Sequence, residues 1–117
     1  MKCPYDNTEA EWVENKEVYG RNFGKSWMIW LCRTCGARVG CHNNTKKPLG
    51  TMAQEDLRKT RIRTHAIIDQ LWKSGKFKRQ TVYKKLSDAF GEEIHIGESD
   101  KNRCREIIEK TKIIFTL

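Results

Sequence analysis

No stretch of this 117-residue chain is apolar for the roughly 20 residues that a membrane-crossing helix takes. Lys2-Cys3-Pro4 leads into no apolar run, so no secretory leader is expected. Internal repeats and low-complexity segments are missing too. So is the apparatus of the common small enzymes: there is no acidic pair for a catalytic Mg²⁺, no His-x-Glu box and no glycine-rich phosphate cradle. Aliphatic residues are few before residue 50, which leaves that part short of material for a hydrophobic core. Acids are nearly absent from residues 57–85. There Arg58, Lys59, Arg61, Arg63, Lys73, Lys76, Lys78, Arg79, Lys84 and Lys85 face Asp69 alone, a net of +9 in a chain of net +8.

A positive field that local predicts a polyanionic partner. Nucleic acid, DNA or RNA, is the first expectation, with Arg58, Arg61, Lys73, Lys76, Lys78, Arg79, Lys84 and Lys85 as the contacting residues. A host protein bound through the same surface, such as a polymerase subunit or a defence factor, is the second. A small nuclease-like enzyme ranks third. For it, Arg61, His65 and Asp69 would share one helix face at i, i+4 and i+8. The structural reading of the same three residues has Asp69 pairing with Arg61 or a neighbour while His65 packs against the ribbon, and it is preferred. No membrane partner is expected.

The five cysteines are odd in number and fit metal thiolates in a reducing bacterial cytoplasm better than a disulfide framework. Cys32-Arg33-Thr34-Cys35-Gly36 follows an apolar stretch and has the form of a zinc knuckle: two thiolates on a tight turn, with a glycine that lets the backbone fold beneath the ion. Cys3 is the natural third ligand of a Zn²⁺ that takes four in a tetrahedron. Asp6 stands where a second knuckle would carry its second cysteine, and a carboxylate oxygen can bind zinc. It is the favoured fourth ligand; His42 and Cys41 are the alternatives. A redox Cys-x-x-Cys is disfavoured because no βαβ pattern surrounds it.

Periodicity predicts an α+β protein: a three-stranded zinc ribbon over residues 1–50, packed on about three helices over residues 51–117. Residues 11–19 and 26–31 read as strands, with Trp27, Ile29 and Leu31 on one side of the second and Met28 and Trp30 on the other. Residues 37–41 read as a return strand. Thr51 and Gln54 suggest a capping box opening a helix that ends near Lys73, with Leu57, Arg61, His65, Ile68 and Trp72 at helical spacing. A second helix spans residues 78–90, with Val82, Tyr83, Leu86, Ala89 and Phe90 as its stripe and Gly91 after its end. Ser99 or Asp100 caps a third, whose Cys104, Ile107, Ile108 and Thr111 face inward.

Several runs together resemble a known family. They are Cys32-x-x-Cys35-Gly-Ala-x-Val39-Gly40-Cys41-His42, Thr45-Lys-x-Pro48-Leu49-Gly50-Thr51-x-Ala53 and Asp69-x-Leu71-Trp72-Lys73-Ser74-Gly75. Tyr83-x-x-Leu86 and His95-Ile96-Gly97 add to them. The family comprises small phage and bacterial proteins with a zinc-finger-containing domain of unknown function. The resemblance implies a zinc ribbon followed by helices and a phage-encoded protein, and it implies no activity. The family's first knuckle usually reads Cys-Pro-Tyr-Cys-Gly, whereas this chain has Cys3-Pro4-Tyr5-Asp6-Asn7.

Overall fold

A computed structural model describes residues 1–115. It divides into two compact units, Met1–Asp56 and Leu57–Leu117.

The first unit is built on a three-stranded antiparallel sheet in the order β1 (Glu11–Glu14), β2 (Met28–Leu31), β3 (Arg38–Gly40). Trp12 pairs with Trp30, and Trp30 with Val39, so one face of the sheet carries a row of large side chains. Trp30 donates its indole N–H to the Lys46 carbonyl at 2.8 Å, and the Lys46 ammonium lies 4.9 Å from the Trp12 ring centre. The polar connection after β3 is therefore a turn folded over that face. It is closed by the Cys41–Pro48 bridge and by Leu49 N–H donating to the Gly40 carbonyl at 2.9 Å. Ile29 and Leu31 are buried.

Three expectations for this unit differ. The strand read over residues 11–19 stops at Glu14, and Lys16–Tyr19 is a single helical turn, α1, closed by Gly20 in the left-handed region. The buried Asn15 causes the break: its own N–H and its side chain are bonded to the loop that follows rather than to a strand. Trp27, read as the start of this strand and as sharing one side of it with Ile29 and Leu31, lies outside β2 and is exposed. The helix read from Thr51 begins at Glu55, because Ala53 still pairs with Arg38, its N–H and C=O both taken at 3.0 Å.

That helix, α2 (Glu55–Lys73), is followed by α3 (Arg79–Phe90), a 3-10 turn (Ile96–Glu98) and α4 (Lys101–Ile114). Gly91 at φ 70° ends α3, and the Asp100 carboxylate caps α4 by accepting from Arg103 N–H at 2.7 Å. The core of this second unit joins Ile68, Leu71, Val82, Leu86, Ile94, Ile96, Cys104, Ile107 and Phe115. Phe77 meets Phe115 edge to face at 5.0 Å. Thr64 and Thr111 are buried within it, each hydroxyl satisfied by the carbonyl four residues back, Thr60 and Ile107. The inward face of α2 runs through Thr64, Ile68 and Leu71, so it is turned from the expected one, and His65 is exposed. Ala89 of α3 is exposed as well. Thr64 escapes a hydropathy reading because its hydroxyl is neutralised by its own helix.

Candidate metal centre

The two ends of the centre are two copies of one turn. In the second knuckle, Cys32 N–H donates to the Ala37 carbonyl at 2.9 Å, Gly36 N–H donates to the Cys32 carbonyl at 2.8 Å, and Gly36 has φ 80°. In the first, Cys3 N–H donates to the Thr8 carbonyl at 2.9 Å, Asn7 N–H donates to the Cys3 carbonyl at 2.9 Å, and Asn7 has φ 63°. Asn7 thus stands in for the glycine, a substitution that asparagine tolerates better than other non-glycine residues in the left-handed region. Asp6 occupies the position of Cys35. The backbone is a knuckle at both ends, and only the donor atom differs.

Cys3, Asp6, Cys32 and Cys35 each bring one donor atom into a group whose members all lie within 4.8 Å of one another. Cys3 Sγ is 3.5 Å from Cys35 Sγ, and Cys32 Sγ is 3.4 and 3.6 Å from the two Asp6 carboxylate oxygens. A tetrahedron with metal–sulfur bonds of about 2.3 Å and one metal–oxygen bond of about 2.1 Å has S···S edges of about 3.8 Å and S···O edges of about 3.6 Å. The Cys3–Cys35 and Cys32–Asp6 edges are within a few tenths of an ångström of those values, and the four donors are grouped closely enough to hold one ion. Among the described residues no other group of three or more histidine, cysteine or acidic side chains converges this way.

The residues match a family model described as a zinc-finger-containing domain over residues 1–113. The chain belongs to that family. No curated protein and no solved structure matches it.

The donors of this zinc-finger domain differ in their protonation. Burial pushes the Cys3 thiol up to about 11, against backbone N–H groups of Tyr5 and Asp6 that pull it down. The Cys32 thiol is lowered, chiefly by the Thr34 hydroxyl 3.1 Å away. The same Thr34 hydroxyl donates to the Asp6 carboxylate, which also accepts Thr8 N–H at 3.0 Å, and these bonds hold Asp6 well below the usual carboxylate range. Thr34 bridges the one carboxylate to the opposite knuckle and so orients it. Sequence reasoning did not single out Thr34 or Thr8. The sign available was a threonine two residues after two of the four candidate ligands, at Asp6-x-Thr8 and Cys32-x-Thr34. On the outside, Arg33 bridges Glu11 and Glu17 at 2.5 Å each.

The two alternative fourth ligands lie elsewhere. Cys41 is buried, its thiol pushed up by burial, and pairs its backbone with Pro48; His42 is exposed on the turn behind it. Neither joins the group of four.

The basic residues fall into two sets. Lys73 and Lys84 reach the carboxylates of Asp69 at 4.0 Å and Asp88 at 3.4 Å, and the Arg61 guanidinium donates to the Ser99 carbonyl at 2.9 Å. Arg58 is half-buried and has its own interactions. Lys76, Lys78, Arg79 and Lys85, by contrast, have no carboxylate within 4.0 Å among the described residues. Arg79 lies over the Tyr83 ring at 4.9 Å, and Lys85 over Phe77 at 5.7 Å. Asp69 accepts the Trp72 indole N–H at 3.1 Å and its charge acts on His65, while Arg61 is engaged by the Ser99 carbonyl.

Proposed function

We propose that this protein is a non-enzymatic nucleic-acid-binding module. A Zn²⁺ ion held by Cys3, Asp6, Cys32 and Cys35 would fix its N-terminal unit, and its helical unit would bind phosphate. The observation that carries the reading is the set of four cations between the end of α2 and the middle of α3, Lys76, Lys78, Arg79 and Lys85, that no carboxylate among the described residues neutralises. The one acid in residues 57–85, Asp69, is engaged by Trp72 and Lys73 and so cannot offset them. Charges left without partners on a surface are held for an outside counter-charge, and a string of phosphates supplies one at regular spacing. A non-catalytic role is supported by the bonds that occupy Arg61 and Asp69. Five free cysteines suit a reducing compartment, hence the cytoplasm of a bacterial host. No helix among the described residues is long and apolar enough to cross a membrane.

Fluorescence anisotropy with labelled 20-mers at several salt concentrations tests the reading. Four phosphate contacts correspond to a slope of about −3.6 in log K against log salt, a loss of about 150-fold between roughly 50 and 200 mM. Replacing Lys76, Lys78, Arg79 and Lys85 together with glutamine should flatten that slope, each removed contact taking away about one unit. A protein that binds no oligonucleotide at low salt, or binds one with no salt dependence, would return the basic surface to a protein partner.

Zinc affinity should depend steeply on pH. With Cys3 lifted to about 11 by burial, its thiol carries a proton throughout the neutral range and must release it to become a ligand. Binding is then coupled to proton release, so raising the pH tightens it. The apparent constant should rise at least about tenfold per pH unit between about 6 and 8, more if other thiols also deprotonate. Competition with a chromophoric chelator at three pH values measures this. A flat profile would mean that Cys3 is not a ligand.

A further inference from the structure

The loop between α1 and β2 exposes aromatic rings that neither the metal centre nor the basic helices account for. Phe23 is 44% exposed, Trp27 54% and Tyr19 39%. Such rings are costly to leave in water on a unit with so little buried apolar surface.

They are also held in place. Asn15, 5% exposed, donates its side-chain N–H to the Phe23 carbonyl at 2.9 Å and accepts Phe23 N–H at 3.0 Å. Its own backbone N–H donates to the Trp27 carbonyl at 2.6 Å. One buried residue therefore clamps the backbone at both exposed rings. The Asn22 side chain accepts Lys16 N–H at 3.0 Å and ties down the chain just ahead of Phe23. Tyr19 meets Phe23 edge to face at 5.7 Å. A rigid loop that presents flat rings loses little entropy when a flat ligand stacks on them.

The loop's own charged side chains have one sign, and the one carboxylate bonded to it, Glu14 accepting from the Asn22 side chain at 3.3 Å, is also paired with Lys16. Residues 18–27 contain Arg21 and Lys25 and no acid. Neither cation has a carboxylate partner among the described residues, and Arg21 lies 4.7 Å from the Phe23 ring centre. The nearest acids along the chain are already paired, Glu14 with Lys16 and Glu17 with Arg33. Rings beside unneutralised cations match a ligand of flat bases joined by phosphates.

We propose that residues 19–27 form a base-stacking site in which Phe23 and Trp27 take unpaired bases of a single-stranded nucleic acid while Arg21 and Lys25 meet its phosphates. The inference rests on the nucleic-acid reading above and adds to it a preference for strands whose bases are unpaired. In a duplex the base faces are already stacked on one another and cannot reach these rings.

The test compares dT20, U20 and a 20-base-pair duplex on the zinc-loaded protein. Phe23→Ala with Trp27→Ala should weaken dT20 and U20 at least about tenfold and the duplex by no more than about twofold. Phe23→Tyr with Trp27→Phe, which keeps both rings, should bind like the native chain. Unchanged single-strand affinity in the alanine pair would overturn the proposal, as would an equal loss on the duplex or the same loss in the ring-preserving pair. If changes at Lys76, Lys78, Arg79 and Lys85 weaken binding and the alanine pair does not, the stacking site fails and the phosphate-binding reading stands. A native chain that binds the duplex and neither single strand removes the stacking site alone, and one that binds none of the three removes both.

Discussion

Replacing Cys32 with alanine, or stripping the metal with a strong chelator, is expected to unfold residues 1–56 and leave the helices of the second unit folded. The reason lies in what each unit buries. The first packs Cys3, Cys32, Ala37 and Met52 together, with Ala10, Trp30, Cys35 and Val39 partly buried against them. Two of the four fully enclosed residues are donors of the metal group, so the centre of that cluster is the metal site itself. Ala37 and Met52 there, with Ile29, Leu31, Cys41 and Ala53 the other buried apolar side chains of the unit, are too few to offset the chain entropy of some fifty ordered residues at about 1 kcal/mol or more each. Structural zinc contributes on the order of 10–16 kcal/mol in small domains at neutral pH, and here it would be the main stabilising term. Amide hydrogen exchange read by mass spectrometry should show protection lost from peptides before residue 56 and kept in α3 and α4. Asp6→Ala should be milder, because three thiolates remain and a water can take the fourth corner. Full protection in metal-free protein would reject the assignment.

The metal group was legible because a knuckle is a local object. Cys-x-x-Cys-Gly carries its own geometry, and Asp6 was readable from register alone, since the turn that places the second donor depends on spacing rather than on the donor's identity. The turn ending at Asn7 repeats the backbone bonds and the positive φ of the turn ending at Gly36. The helices were legible at their ends, where Gly91 and Asp100 act locally. Failures came where a distant partner decides. The start of α2 shifted because Ala53 is claimed by Arg38, fifteen residues away. The strand after Trp12 was cut short because Asn15 serves a loop that closes twelve residues later, at Trp27. Nor could spacing separate the basic residues that are neutralised from those that are not. Lys84 and Lys85 are neighbours, and among the described residues only Lys84 meets a carboxylate.

The inward face of α2 supports a second large effect, one that zinc should not influence. Ile68 is fully buried at the centre of the helical core, and Ile68→Ala should cost about 2–5 kcal/mol by lost transfer energy and the cavity left behind. A unit of about sixty residues has only some 3–9 kcal/mol to lose, so the variant should be largely or wholly unfolded near body temperature. Ile62→Ala on the same helix should shift stability by no more than about 0.5 kcal/mol, because that side chain is 60% exposed and leaves no cavity. His65→Ala should behave like Ile62→Ala, whereas the periodicity reading, which turned His65 inward, would make it costly. Urea unfolding followed by far-ultraviolet circular dichroism, with and without chelator, measures all three. An Ile68→Ala loss matched by Ile62→Ala would mean that α2 packs through its other face. A loss that appears only in metal-free protein would mean that the helical unit does not stand on its own core.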